Sequence, residues 1–174
     1  MSTLYVDTIN EKTSGNGIYI PGHVVQIQST HKTDTASSSS TSWVDVTGLS
    51  VTITPSSTTS KILLIASVSL GYTSSGFTYF RLMRDSTVID EADTASNRPS
   101  VSGQNYDANE GMAGKQVTHF LDSPATTSAV TYKVQIKSGL SGYNVYVNRS
   151  HRDNDTSDYD PRFASSITVM EIGG

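Results

Sequence analysis

A chain of 174 residues with a formal net charge of −4 and no cysteine reads as one domain, or one domain with a short appendage. It excludes a disulfide framework, a thiolate zinc site and a cysteine nucleophile. Its 28 Ser and 22 Thr outnumber the 38 residues of Leu, Ile, Val and Phe taken together, so the domain is ordered but poor in core, and oligomerisation is expected to supplement it.

A pI near 5.4 without a basic stripe argues against a nucleic-acid surface. The longest apolar run, Ile62 to Ala66, is of strand length and far short of the roughly 18 residues that cross a bilayer, so membrane insertion is not expected. The N-terminal residues show neither a charged nor an apolar signal segment, and a secretory leader is not expected.

Residues 1–22 differ from the remainder. Leu4, Val6 and Ile9 alternate around polar neighbours, a turn-rich stretch runs from Thr13 to Gly17, and Ile18 and Ile20 precede Pro21-Gly22. A segment this short buries nothing alone, so it reads as an arm docking on another surface, with those five residues as its apolar contacts. Residues 23–174 read as a β-sandwich head.

From His23 onward the apolar period is two. Val25 and Ile27 open a strand, a polar loop is expected over 29–42, and strands follow at Trp43 to Val46 and Leu49 to Thr54, stopped by Pro55. Lys61 to Tyr72 places Ile62, Leu64, Ala66, Val68 and Leu70 on one face, while Leu63 and Ile65 predict cover on the other face as well. Thr78 to Met83 and Thr87 to Glu91 flank Arg84-Asp85-Ser86 as a hairpin.

Residues 92–114 have no periodicity and read as a long loop of functional or partner-ordered kind. Strands resume at Val117 to Leu121, Val130 to Lys137 and Tyr143 to Val147. A second polar loop covers 148–161, and Ser166 to Ile172 is apolar on both faces, which predicts burial on both. No window has a helical period. Eight to ten short strands at this spacing predict an all-β fold, a jelly-roll-type β-sandwich with a short extended N-terminal arm.

Chemistry is sparse. Asp153, Asp155, Asp158 and Asp160 could supply hard oxygen ligands to a calcium ion, but the run lacks the glycine and terminal glutamate of an EF-hand loop and reads first as a solvated acidic tip, with the ion site only a weak candidate. The four histidines stand singly, without the close pairs that bind zinc. No Gly-x-Ser-x-Gly elbow and no phosphate-cradling loop occurs. The chain therefore reads as non-enzymatic and without cofactor. Nine tyrosines against four Phe and one Trp suit an adaptable recognition surface, with Tyr72, Tyr106, Asn109, Tyr146 and Tyr159 as candidate loop positions. Tyrosine is also an ordinary strand residue.

The segment Ser2 to Asn10, followed by Gly17 to Gln26, resembles the opening of small tail-fibre-like virion proteins of marine tailed bacteriophages, cyanophages in particular. Lys61 to Ile65, Tyr79 to Asp85 and Ile167 to Ile172 are similar in layout to their C-terminal heads, and more loosely to trimeric jelly-roll heads of the tumour-necrosis-factor type. The resemblance implies a virion structural protein, assembled in the host cytoplasm and exposed on the particle. It would be a homotrimeric head held to other virion proteins by the N-terminal arm. The absence of shaft repeats between arm and head favours a short knob over a long fibre. A capsid decoration protein stabilising the head shell, and a sandwich binding a host-surface glycan, are the alternatives.

Overall fold

A computed structural model describes Thr8 and residues 22–73, 75–108 and 111–174; the five apolar arm residues and Asn109 lie outside the described residues. Eleven strands follow in chain order: β1 (Val24–Lys32), β2 (Ala36–Ser38), β3 (Val44–Ile53), β4 (Lys61–Tyr72), β5 (Gly76–Arg84), β6 (Thr87–Val88), β7 (Gly103–Asp107), β8 (Ala113–Asp122), β9 (Val130–Ser138), β10 (Val145–Val147) and β11 (Ser165–Ile172). The described residues contain no helix.

Two antiparallel sheets face each other. In the first, β4 is central, with β8 along one edge and β11 and β10 end to end along the other. Beyond these lie β1 and β2, again end to end. In the second, the order is β3, β9, β5, with β7 and β6 sharing the outer edge of β5. The chain changes sheet after β2, β3, β4, β7, β8 and β9, which is the winding of a jelly roll. The all-β sandwich expected from strand spacing is the observed fold.

The core follows from period-two alternation. On β4, Ile62, Leu64, Ala66, Val68, Leu70 and Tyr72 all point inward and are fully buried. Leu49, Val51 and Ile53 of β3, Phe80 and Leu82 of β5, Tyr132, Val134 and Ile136 of β9, and Ile167 and Val169 of β11 meet them. Each such side chain gains about 1.5–3 kcal/mol from leaving water.

Polar bridges close one end of the sandwich, on both sides of β4, where Asp122 and Glu171 each pair with Ile62. Arg84 Nη1 donates to both oxygens of Asp122 at 2.7 Å, and the buried Tyr132 hydroxyl donates to Asp122 Oδ2 at 2.7 Å, joining β8 to the opposite sheet. Glu171, with no exposed surface, accepts from the Ser56 backbone and hydroxyl at 2.7 and 2.6 Å and from Gln26 Nε2 at 2.6 Å. Those hydrogen bonds hold its carboxyl below the ordinary range against the opposing effect of burial.

Three expectations are corrected. The loop expected over 29–42 is half strand, since β1 runs to Lys32 and β2 covers Ala36–Ser38; its hydroxyl-rich sequence pairs by backbone with β11 and β10. The two strands expected on either side of Gly48 are one strand, β3, with a bulge between Asp45 and Ser50; Gly48 takes φ 78° there, a conformation open to glycine without a steric cost. The loop expected over 92–114 contains β7, whose inward residues are Asn105 and Asp107 instead of apolar ones.

The strand formed by β10 and β11 contains an excursion. Val147 pairs with Leu70 and Ser166 with Ser67, so only Val68 and Ser69 of β4 separate two segments that residues 148–164 divide in sequence. Side chains seal the break. The Asn148 backbone N–H donates to Ser69 O at 3.0 Å, Ser69 N–H donates to Ser165 Oγ at 3.0 Å, and Ser165 Oγ donates to Asn148 Oδ1 at 2.6 Å. Asn148 Nδ2 reaches the carbonyls of Lys32 and Asp34, each at 2.9 Å. The left-handed backbone of Asn148, φ 63°, turns the chain out of the sheet at this point.

Candidate functional site

The ends of the sandwich are distinct. Gly22 N–H donates to Gly173 O and Gly173 N–H to His23 O, so Gly22 lies beside the C-terminal residues, at the end where β4 and β11 pair through Lys61 and Ile172. At the opposite end lie the turns after β4, β7 and β9, carrying Phe77, Tyr106, Met112, Leu140 and Tyr143 as exposed large apolar side chains. The twelve residues of β4 separate the two ends by about 40 Å.

The large exposed side chains divide by chemical kind. Val24, Val25, Ile27, Val117 and Leu121, all aliphatic, belong to β1 and β8 of the first sheet. Register places Ile27, Met170, Leu63 and Leu121 in one row across β1, β11, β4 and β8, with Ile65 in the next row. Ile27 is 55% and Leu121 49% exposed, while Leu63, Ile65, Met170 and Ile172 are half-buried. The outer faces of β4 and β11, expected to be covered, are thus only partly covered by this chain.

The outer face of the second sheet is aromatic and polar. Tyr106 pairs with Phe77 and Gln104 with Tyr79 between β7 and β5, while Tyr79 pairs with Lys137 and Arg81 with Gln135 between β5 and β9. Ring centroids of Tyr106 and Phe77 are 5.0 Å apart, and the rings of Phe77 and Tyr79 lie parallel at 6.1 Å. Lys137 Nζ sits 5.6 Å from the Tyr79 centroid and 4.8 Å from that of Trp43, whose ring also carries the Arg81 guanidinium at 4.5 Å. Arg81 is held further by Gln135 Oε1 at 2.8 Å and Glu91 Oε1 at 3.2 Å, and Lys133 by Asp45 at 2.8 Å. Lys137 has no carboxylate partner among the described residues.

The tyrosines singled out from sequence separate by burial. Tyr72 is fully buried, its ring 5.8 Å from that of Tyr143 and its hydroxyl 3.0 Å from Ser138 Oγ. A side chain at Gly76 would collide with that ring. Tyr146 is 5% exposed, covered by Arg149 at 4.1 Å and hydrogen-bonded to His151 Nδ1 at 2.8 Å. Neither is available to a surface ligand, because each strand turns these rings inward or under the excursion. Tyr106 and Tyr159 are exposed, as expected, and Arg152 lies 4.3 Å over the Tyr159 ring.

The acidic run does not gather into a cation site. Asp160 is buried and accepts from Arg152 Nε at 2.7 Å, Ser150 Oγ at 2.8 Å and the Asn154 backbone at 3.2 Å. The Arg152 contact foremost lowers its carboxyl to about pKa 2. Asp153 pairs with Arg149 and Arg162, and Asp155 and Asp158 face solvent. The four carboxylates are divided because arginines of the same loop neutralise two of them, and no group of three metal-ligating side chains occurs among the described residues. Asp153, Asp155, Asp160 and Arg162 instead line an open cleft of about 570 Å³.

Trp43, Phe77, Tyr79, Arg81 and Lys137 form this aromatic and polar face and were not among the candidates taken from sequence. Their signal was present in the alternation of Phe77, Tyr79 and Arg81 with the inward Thr78, Phe80 and Leu82, which turns the three to the outer face of β5. No protein-family model and no curated protein matches the chain.

Proposed function

We propose that this chain is a non-enzymatic structural protein of a tailed-phage particle, a short fibre or knob whose N-terminal arm docks on other virion proteins and whose sandwich assembles as a trimer. The observation that carries the assembly part is the aliphatic row Ile27, Met170, Leu63 and Leu121 across the first sheet. Four strands at about 4.8 Å make this row roughly 15–20 Å wide, and a contiguous apolar row on an outer face supports a protein contact. Further copies are the partners that fit, since three such faces turned toward a common three-fold axis bury the apolar outer sides of β4 and β11 that one chain leaves half-open. Gly22, at the end opposite the aromatic turns, supports an anchored base and an outward tip. The virion assignment draws on the resemblance of residues 2–26 to phage tail-fibre-like proteins.

The test is light scattering on the purified chain with Leu121→Glu beside it. The expected result is a trimer that the substitution converts to a folded monomer. A wild-type monomer at micromolar concentration removes the assembly reading, and a particle reconstruction without density for the chain removes the virion reading. Density on the capsid shell instead of the tail selects the decoration role.

A further inference from the structure

We propose that the outer face of the second sheet, from Tyr106 through Phe77, Tyr79 and Lys137 to Trp43 and Arg81, is a binding surface for an acidic polysaccharide. The proposal is independent of trimer formation and of the particle. Its first support is chemical sorting: the exposed large apolar side chains of the first sheet's strands are aliphatic, while those on the strands of this face, Phe77 and Tyr106, are aromatic, with Tyr143 beside the aliphatic Leu140 in an adjacent turn. Aliphatic rows suit a protein interface, whose contacts are non-directional. Rings interspersed with amide and ammonium groups suit a pyranose chain, which offers an apolar C–H face to a ring and a rim of hydroxyls to Gln104 and Gln135 on the same face.

The second support is charge. On this face the Arg81 guanidinium meets Glu91 and the Lys133 ammonium meets Asp45. Lys137 has no carboxylate among the described residues and rests between the Tyr79 and Trp43 rings. A cation fixed by rings on a flat surface is a complement to the carboxylate or sulfate of an acidic sugar, and it is the feature that favours a charged chain over a neutral one. The stacked order of the six side chains pre-organises the surface, so a ligand orders few groups on binding.

Trp43 is the chain's sole tryptophan and touches Lys137, so its emission reports on the site. The purified full chain is titrated with a hexa-uronate, a sulfated hexasaccharide and neutral cellohexaose, followed by Trp43 fluorescence and calorimetry. The expected result is saturable binding of at least one acidic oligosaccharide with a shift of Trp43 emission; the uronate and sulfate arms identify which anion is preferred. Tyr106→Ala and Lys137→Gln are each expected to weaken it by about fivefold or more, with melting temperature retained, while Ser157→Ala at an exposed position of the 148–164 excursion leaves it unchanged. Absence of saturable binding by both acidic probes at millimolar concentration overturns the proposal. So does binding that survives both substitutions, equal affinity for cellohexaose, or attachment to a host-surface protein with no saccharide response. The oligomeric state is recorded in the same samples, so loss of the assembly reading and loss of this one are told apart.

Discussion

Asp107 at the end of β7 is a buried charge that the fold tolerates at a cost. The residue is 1% exposed; Asn105 Nδ2 donates to Oδ1 at 2.7 Å, and Oδ2 has no hydrogen-bond partner among the described residues. Burial raises its pKa from 3.8 to about 6, against the opposing pull of the Asn105 amide and the Tyr72 backbone N–H. Because the folded-state value lies above the unfolded one, the native chain binds the proton more tightly. Stability from this group is therefore fully present below about pH 4 and lost as pH rises through about 6. The shift sets an upper limit of about 3 kcal/mol between those limits.

Asp107→Asn keeps an acceptor for Asn105 and removes the charge, leaving an unpaired amide that is less costly to bury than an unpaired carboxylate. At pH 7 the variant is expected to be more stable by about 1–3 kcal/mol, or roughly 3–9 °C in melting temperature for a domain of this size. At pH 4 the two proteins should melt together to within about 1 °C. Carboxylates elsewhere, Glu171 and Asp160 among them, have lowered values and opposite sign; the difference between variant and wild type cancels them. The assay is calorimetric melting of both proteins from pH 4 to pH 8. A variant less stable than wild type at pH 7, or a difference that does not change with pH, refutes the reasoning.

Three further expectations test the polar framework. Tyr132→Phe removes one charge-assisted bond to Asp122 and should cost about 1.5–3 kcal/mol in urea unfolding, whereas Asp122→Ala strands both Arg84 and the buried hydroxyl and should cost about 3–5 kcal/mol; a double variant that is simply additive would show that the three side chains do not act together. Asn148→Gly preserves access to the left-handed backbone but deletes the side-chain bonds to Lys32, Asp34 and Ser165, and is expected to lose about 2–4 kcal/mol and to speed hydrogen exchange at Ser69; unchanged exchange there would place the closure of the excursion elsewhere. Asp160, with its lowered pKa, should hold the excursion above the ordinary carboxylate range and release it as pH falls through about 2; chemical shifts of residues 148–164 that move at the same pH in Asp160→Asn would refute the assignment.

The strands legible in sequence are those whose two faces differ in polarity. β4 and β9 alternate so regularly that their inward residues Ile62 to Leu70 and Val130 to Ile136 could be named beforehand, and the number of such strands points to a jelly roll, whereas Tyr72, read as a loop position, is the buried end of β4. β7 was not legible because its inward positions are Asn105 and Asp107, so hydropathy has no period to show. The end of β1 fails for the same reason: Lys32 is 3% exposed, its ammonium reaching Asp34 at 2.7 Å. Nor does any local pattern announce that β10 and β11 are one strand divided by residues 148–164. That relation exists only through β4, and the residues that seal it, Asn148 and Ser165, look like ordinary loop polar residues until the third strand is in place. The recognition face was partly legible, since Phe77, Tyr79 and Arg81 alternate on β5, but Trp43 and Lys137 join them only through pairing across β9.

The low apolar content takes on a different meaning with the strands placed. The interior is well filled: six successive inward positions of β4 have no exposed surface. Yet in a chain with only 38 Leu, Ile, Val and Phe residues, Val24, Val25, Ile27, Val117 and Leu121 remain outside. Ser and Thr occupy comparable outward positions elsewhere, as at Ser50, Thr52 and Thr131 on β3 and β9, so strand formation alone does not require aliphatic residues on that face. Returning Ile27 and Leu121 to full burial would recover about 1 kcal/mol or more for each, a gain available only against another surface. Residues of this kind are those that a partner surface would cover. The opposite face makes the complementary case: Lys137 there could have paired with a carboxylate, as Lys133 does with Asp45, but is set against rings. The two sheets thus share one core and differ outside it, one suited to a dry protein contact and the other to a wet, charged and ring-lined one.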